Sequence, residues 1–261
     1  IYDPAGIEMS VGEKEINSKT YYARLTKSMV AAISAPMTEM SLFQVDMRLR
    51  PSGNQGPVAT SWESFKHYQT SEAWVWEHLA LVNATIITGP EGLKADISEF
   101  CKSLKTLRPD EKVMSGLSIM RKRLLASRSM DEKWSLKLGQ GKLQDIELVS
   151  QMGILLSNEN ISGVHNGLMN LNKLKKICAE DLNYLISTYE LLFSVQILSK
   201  LLLKEDIKDR ELGANGKDLL FKYTDTSSIP SLIEKIAEMT AKSATIISNI
   251  LPNPKEVYDE R

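Results

Sequence analysis

Asp46, Arg48 and Arg50 stand at alternate positions, and their types and spacing suit a chemical task. On an extended segment these three share one face while Val45, Met47 and Leu49 share the other, so the apolar face can be buried and the charged face left over a cleft. A carboxylate ligates a hard cation and guanidinium forks pair with phosphate oxygens, which fits a Mg²⁺-bound polyphosphate. The same alternation also describes an exposed strand whose charges pair with one another and with water, and spacing alone leaves both readings open. Pro51, Gly53, Gly56 and Pro57 then force a turn able to bring backbone N–H groups close to a ligand.

A second marker is Lys137-Leu138-Gly139-Gln140-Gly141-Lys142-Leu143-Gln144-Asp145-Ile146-Glu147-Leu148. It is not a P-loop, which needs an earlier glycine at fixed spacing and a Ser or Thr where Leu143 stands. Gly139 and Gly141 allow a loop to approach a ligand, and a helix starting after them is expected to offer unpaired N–H groups. Asp145 and Glu147 diverge on such a helix, so one of them is expected at the cleft, organising Lys137 or an arginine. Arg121, Lys122, Arg123 and Arg128 form a basic run that reads first as a solvated helix face. His78 beside Trp74 and Trp76 reads as a hydrogen-bonded packing residue before a ligand.

Several spaced motifs agree in order: Val45 to Gly53, Gly56 to Ser61, Phe65, Tyr68-Gln69 and Ala73-Trp74-Val75-Trp76-Glu77-His78. Together they resemble bacterial glutamine synthetase adenylyltransferase, and the last two resemble its C-terminal, adenylylating half. The resemblance implies a polymerase-β-like nucleotidyltransferase that moves AMP from ATP to a tyrosine hydroxyl of glutamine synthetase. It implies Mg²⁺ as cofactor, ATP as co-substrate, Asp46 as a shared metal ligand, and Arg48 and Arg50 against phosphate charge. Ser52, Gly53 and Gly56 would line the nucleotide pocket, with Lys137 and Glu147 of the glycine-rich turn also on the nucleotide side. The implied partners are glutamine synthetase and a small nitrogen-signalling regulatory protein, and the implied location is the cytoplasm.

In that family a Ser-Asp-x-Asp just upstream supplies two further metal carboxylates. Those positions would precede Ile1, so the chain is expected to be a fragment, inactive alone. Asn83 and Thr85 stand where the family carries arginines, Lys142 where it has a second glycine, and Leu148 where it has phenylalanine. Two alternatives remain: a non-catalytic interaction module on the same fold, and a nucleotidyltransferase with another acceptor.

The elements that must position these residues follow from periodicity. Tyr21, Leu25, Met29 and Ala32 or Ile33 predict a helix over about 17–35, stopped by Pro36, and a strand follows at about 41–50. Thr60 and Glu63 have capping-box spacing for a helix to about Gln69, and another starts near Ser71. Helices are predicted over about 93–107 and, opened by Pro109, from Asp110 to about Ser127. From Asp145 the chain reads as helix, with Leu182, Leu185, Ile186, Tyr189, Leu192, Phe193 and Ile197 as a core stripe. Residues 209–226 read as a loop or short helical excursion, and Pro230 with Ser231 and Glu234 opens a last helix ending at Pro252. The fold expected is α+β: a truncated nucleotidyltransferase core over 1–107 lacking its N-terminal strand, then an all-helical domain over 108–261. The 261 residues, 43% hydrophobic and 25% charged with net charge -1, argue against a general nucleic-acid or anionic-membrane surface. Cys101 and Cys178 are too few for a disulfide scaffold.

Overall fold

The computed structural model describes residues 1–35, 43–81, 84–107, 109–126, 135–157, 159, 161–203 and 212–251. The chain divides into two compact units, Ile1–Leu107 and Arg108–Glu260. The first holds α1 (Ser18–Ile33), α2 (Trp62–Ser71), α3 (Val75–Leu81) and α4 (Glu91–Ser103). The second holds α5 (Asp110–Ala126), α6 (Leu143–Leu155), α7 (Val164–Lys173), α8 (Ala179–Leu203), α9 (Ala214–Thr224) and α10 (Ile229–Ile250).

In the first unit α1 forms where the periodicity places it, started by the Asn17 side chain accepting from Thr20 N–H at 2.8 Å. Its stripe does not enter a core: Tyr21, Leu25, Met29 and Ile33 are all exposed. A periodic pattern selects the face to be buried, but burial needs a second layer, and α1 has no buried residue. The core of this unit is instead Trp62, Phe65 and Leu79 with Phe100 of α4 against the two aromatics, the Trp62–Phe100 rings edge to face at 5.4 Å. Ser61, not Thr60, caps α2, its hydroxyl accepting from Ser64 N–H. The predicted Thr60–Glu63 box is therefore one residue out of register.

Among the described residues there is no strand, only isolated bridges pairing Tyr2 with Ser61 and Met9 with Asn17. Residues 43–48 belong to no element, and the part of the expected strand before Phe43 lies outside the described residues. A strand exists by its ladder, and this segment has no backbone partner among the described residues.

The second unit is built around α6, which is buried on nearly all sides. Small residues let α7 cross it closely: a Cβ on Gly153 would lie 2.0 Å from the Gly167 carbonyl, and one on Gly167 2.2 Å from the Ser150 carbonyl. Asn170 donates to the Gly153 carbonyl at 2.9 Å across the same crossing. α8 passes the length and hydropathy test for a membrane span. In the structure it packs on α6, α7, α9 and α10, with Leu185, Leu192 and Val195 buried and Phe193 and Ile197 exposed. Thr188 of α8 accepts from Ser243 of α10 at 3.0 Å inside that packing. Ser228, rather than Ser231, caps α10, accepting from Ser231 N–H at 3.2 Å, and Pro230 sits in its first turn.

One buried ion pair ties three of these helices together. Arg121 of α5 grips Asp145 of α6 with two parallel N–H···O bonds, 2.7 and 2.8 Å, and donates a third to Ser248 of α10 at 3.2 Å. Asp145 also accepts from Gly141 N–H at 2.8 Å. The side chains are 13% and 4% exposed, so Arg121 does not belong to a solvated face, while Arg128 lies outside the described residues. A buried carboxylate that loses its cation keeps its desolvation cost, so Arg121→Met alone is expected to lower stability by about 3–5 kcal/mol, and adding Asp145→Leu to recover most of it. Chemical denaturation of the two variants checks this, and equal midpoints would contradict it.

Candidate functional site

Of the three charged residues expected on one face, Asp46 and Arg48 come together and close on each other, while Arg50 does not join them. Arg48 Nε lies 3.0 Å from both Asp46 oxygens and Nη2 2.6 Å from Oδ2, while Arg48 N–H donates to Oδ1 at 2.9 Å. Both side chains are exposed, so the pair adds little to stability. The Arg48 guanidinium, and then its backbone N–H, hold the Asp46 carboxyl down at about 2. Of the apolar alternates Val45 and Met47 are half-buried, whereas Leu49 is 69% exposed.

Arg50 turns into the loop that follows. Its Nη1 donates to the Met47 carbonyl at 2.5 Å, Nε to Gly56 at 3.1 Å and Nη2 to Asn54 at 3.3 Å. One rigid planar fork thus stitches the stretch before the turn to the turn itself. Ser52 and Gly53 adopt left-handed φ values of 60° and 53°, followed by a short 3-10 turn over Gly53–Gln55. Gly56 is required sterically, because a Cβ there would lie 1.8 Å from the Pro51 carbonyl. On α2, Tyr68 donates to Glu77 at 3.0 Å, and burial pushes its phenol up. His78 is a packing residue with Nε2 2.9 Å from the Gln69 carbonyl. Thr85 is exposed, and Asn83 lies outside the described residues.

Lys137 and Glu147 fall in the second unit, so the predicted residues divide between the two units. The glycine-rich turn is already committed to its own protein. Gly141, at φ 67°, lies against α10, where a Cβ would be 2.0 Å from the Thr240 carbonyl. The first N–H groups of α6 are taken as well: Leu143 donates to Leu136 at 3.2 Å and Gln144 to Lys137 at 3.0 Å. The expected open helix N-terminus is thus closed by the loop's own carbonyls, and Lys142 reaches back to the Ser135 carbonyl at 2.6 Å. Asp145 and Glu147 diverge as expected, Asp145 to Arg121 and Glu147 to the neighbourhood of Lys137 and Tyr189. A shallow hollow beside the turn is lined by Arg121, Leu125, Gly139, Gln144 and Leu148.

Among the described residues no three His, Cys, Asp or Glu side chains converge as a metal site. The single carboxylate of Asp46 still fits Mg²⁺, which takes one or two carboxylates and completes its shell with phosphate and water.

Comparison with known proteins decides the family. Residues 1–100 match the family described as glutamate-ammonia ligase adenylyltransferase. The bifunctional glutamine synthetase adenylyltransferase/adenylyl-removing enzyme of Mesorhizobium japonicum is 40% identical over 157 residues, 59% of this chain and 16% of that one. Its counterpart in Rhizobium meliloti is 32% identical over 257 residues, 96% of this chain and 26% of that one. This chain belongs to the glutamine synthetase adenylyltransferase family. It spans 16% to 26% of the length of these adenylyltransferases. The order of motifs from Val45 to His78 is what made that family legible in the sequence. The Tyr68–Glu77 contact was missed there, although both residues lay in quoted motifs, because a nine-residue separation across a helix break follows no simple period.

Burial raises the Glu147 carboxyl above its ordinary value, with the Lys137 charge opposing. A raised carboxyl favours the protonated folded state, so the stability linked to Glu147 is fully present below its ordinary 4.5 and is lost as pH rises through the folded-state value. Glu147→Gln is therefore expected to melt above the parent near pH 7 and level with it at about pH 4. Thermal melts across that range check it, and a lower melting temperature near pH 7 would contradict it.

Proposed function

We propose that this chain is part of an adenylylating nucleotidyltransferase that transfers AMP from ATP to a tyrosine hydroxyl of glutamine synthetase. The observation that carries the reading is an exposed carboxylate, Asp46, directly before a loop built by Arg50, Ser52, Gly53 and Gly56, within the segment that matches the adenylyltransferase family. In the proposed reaction the phenolic oxygen attacks the α-phosphorus of ATP. A bond forms from that oxygen to phosphorus, the bond to pyrophosphate breaks, and the phenolic proton passes to solvent.

Asp46 would hold Mg²⁺, which when bound neutralises phosphate charge and steadies the leaving pyrophosphate. Arg48, released from Asp46 by the cation, would pair with a phosphate oxygen, since the guanidinium suits phosphate and carboxylate alike. Arg50 would act through the loop, and Ser52, Gly53 and Gly56 would line the nucleotide pocket, with Gly53 and Gly56 N–H already donating to the Arg50 and Gly53 carbonyls. We read residues 1–107 as a polymerase-β-like α+β core and 108–261 as its helical domain. In this reading the Phe43–Arg48 segment joins a sheet whose other strands, with two more metal carboxylates, come from a longer cytoplasmic protein. Glutamine synthetase is the partner proposed, with a nitrogen-signalling protein as regulator.

A second reading, a non-catalytic module that binds glutamine synthetase, draws on the closed Asp46–Arg48 pair. The test is the mass of glutamine synthetase after incubation with ATP, Mg²⁺ and the full protein that carries this chain. We expect one AMP on a tyrosine, and a loss of about 10²-fold or more in rate with Asp46→Asn. Binding of glutamine synthetase without transfer by the parent protein would favour the second reading.

A further inference from the structure

α8 is apolar on nearly every side, a pattern proper to a helix that is covered all round. Its inner face is covered, with Leu185, Leu191, Leu192, Val195 and Leu198 buried. Its outer face is not: Phe193, Ile197 and Leu201 stand at successive turns, 42%, 40% and 74% exposed. A single exposed leucine is ordinary on a protein surface, but large apolar side chains in line on one helix form a continuous patch. The patch is held in shape. Tyr189 stacks on Phe193 with ring centroids 5.6 Å apart, and His165 of α7 lies edge to face with Tyr189 at 6.4 Å. His165 Nε2 also lies 3.0 Å from Glu190 Oε1, so α7 braces one side of the patch.

Ile186, Glu190, Phe193, Ile197 and Lys200 follow one another at steps of four, three, four and three residues. That is the heptad spacing of a seam between two helices. Glu190 and Lys200 are exposed charges inside this seam, and they decide its orientation. In a parallel pair with a second copy each residue meets itself, so Glu190 faces Glu190 and Lys200 faces Lys200, which is repulsive. In an antiparallel pair centred on Val195, Phe193 faces Ile197, Tyr189 comes level with Leu201, and Glu190 faces Lys200, each twice over. The face is thus complementary to itself, in charge and in apolar contact, in the antiparallel orientation and not in the parallel one.

We propose that the outer face of α8 binds a second copy of this chain, antiparallel, as the seam of a symmetric dimer. The inference stands on the second unit alone and does not rest on the nucleotidyl-transfer reading. A seam of about four turns is a small interface, so the pairing is reversible and depends on protein concentration. Tyr189 and Phe193 are already ordered by their stack, which reduces the entropy lost when the helices meet.

The test is sedimentation velocity of the full protein that carries this chain, over about a hundredfold range of concentration. The parent is expected to pass from monomer to dimer as concentration rises. Ile197→Ser, at an exposed position, is expected to raise the dimer dissociation constant about tenfold or more while the melting temperature stays with the parent. Lys200→Glu sets Glu190 against a second carboxylate and is expected to weaken the dimer by a similar factor, about tenfold or more. Glu190→Lys combined with Lys200→Glu exchanges the two charges and is expected to return the dissociation constant to within about threefold of the parent. A parent that stays monomeric throughout overturns the proposal. So does a dimer that keeps its dissociation constant in Ile197→Ser, or one that the charge exchange fails to restore. Flotation of a monomeric parent with phosphatidylcholine–phosphatidylglycerol vesicles, lost in Ile197→Ser, would give the face to a lipid surface and equally overturn it.

Discussion

The Arg50 guanidinium is the constraint on which the first unit's candidate site depends. The loop from Pro51 to Gly56 makes backbone hydrogen bonds of its own, Gly53 N–H to Arg50, Gln55 N–H to Ser52 and Gly56 N–H to Gly53, but these leave the Asn54 and Gly56 carbonyls to be satisfied from elsewhere. Arg50 satisfies Met47, Asn54 and Gly56 with one planar group, which a flexible ammonium cannot do at three fixed directions. Gly56 allows the chain to close on Pro51, and the left-handed Ser52 and Gly53 let it turn. Once this shape exists, Asp46 and Arg48 stand before it as an exposed ion pair.

The second unit uses the same economy with different parts. Asp145 serves both as the partner of Arg121 and as the acceptor for Gly141 N–H, so one carboxylate ties α5, the glycine turn and α6. Gly141 then lies against the α10 backbone, and Leu136 and Lys137 close the first N–H groups of α6. The turn that looks in sequence like a ligand-approach loop is a packing joint in the structure. The turn leaves Lys137, Leu138 and Gln140 exposed, with Glu147 half-buried on the following helix.

Helix positions were largely legible. Asn17, Pro109 and the run from Asp145 mark α1, α5 and α6 within a few residues, because capping and periodicity are local properties. Which helix faces are covered was less legible, since the Tyr21, Leu25, Met29 and Ile33 stripe obeys the same period as a core stripe and yet is exposed. Caps slipped by a residue or more, at Ser61 for Thr60 and Ser228 for Ser231, where several hydroxyl residues compete for one start. The divergence of Asp145 and Glu147 was legible from helical geometry, but the choice of Arg121 as partner needed the crossing of α5 and α6. At the candidate site Asp46 and Arg48 do meet, but through a local bond of the Asp46 carboxylate to the Arg48 backbone N–H and guanidinium rather than along a strand face. Alternation aimed Arg50 with them, and it failed to see that a side chain next to a turn finds carbonyls first.

The Arg50 fork holds the Pro51–Gly56 loop in one shape, which the proposed function assigns to the nucleotide. The most direct measurement is Mg²⁺-ATP binding by the full protein that carries this chain, parent against Arg50→Lys, with the Gly53 and Gly56 amide resonances followed in the same titration. Lysine keeps the charge but cannot reach the Met47, Asn54 and Gly56 carbonyls together, so the account predicts that binding weakens about tenfold or more and that the amide shifts seen in the parent are lost. Arg50→Lys that binds Mg²⁺-ATP as tightly as the parent, with the same two amides shifting, would contradict it.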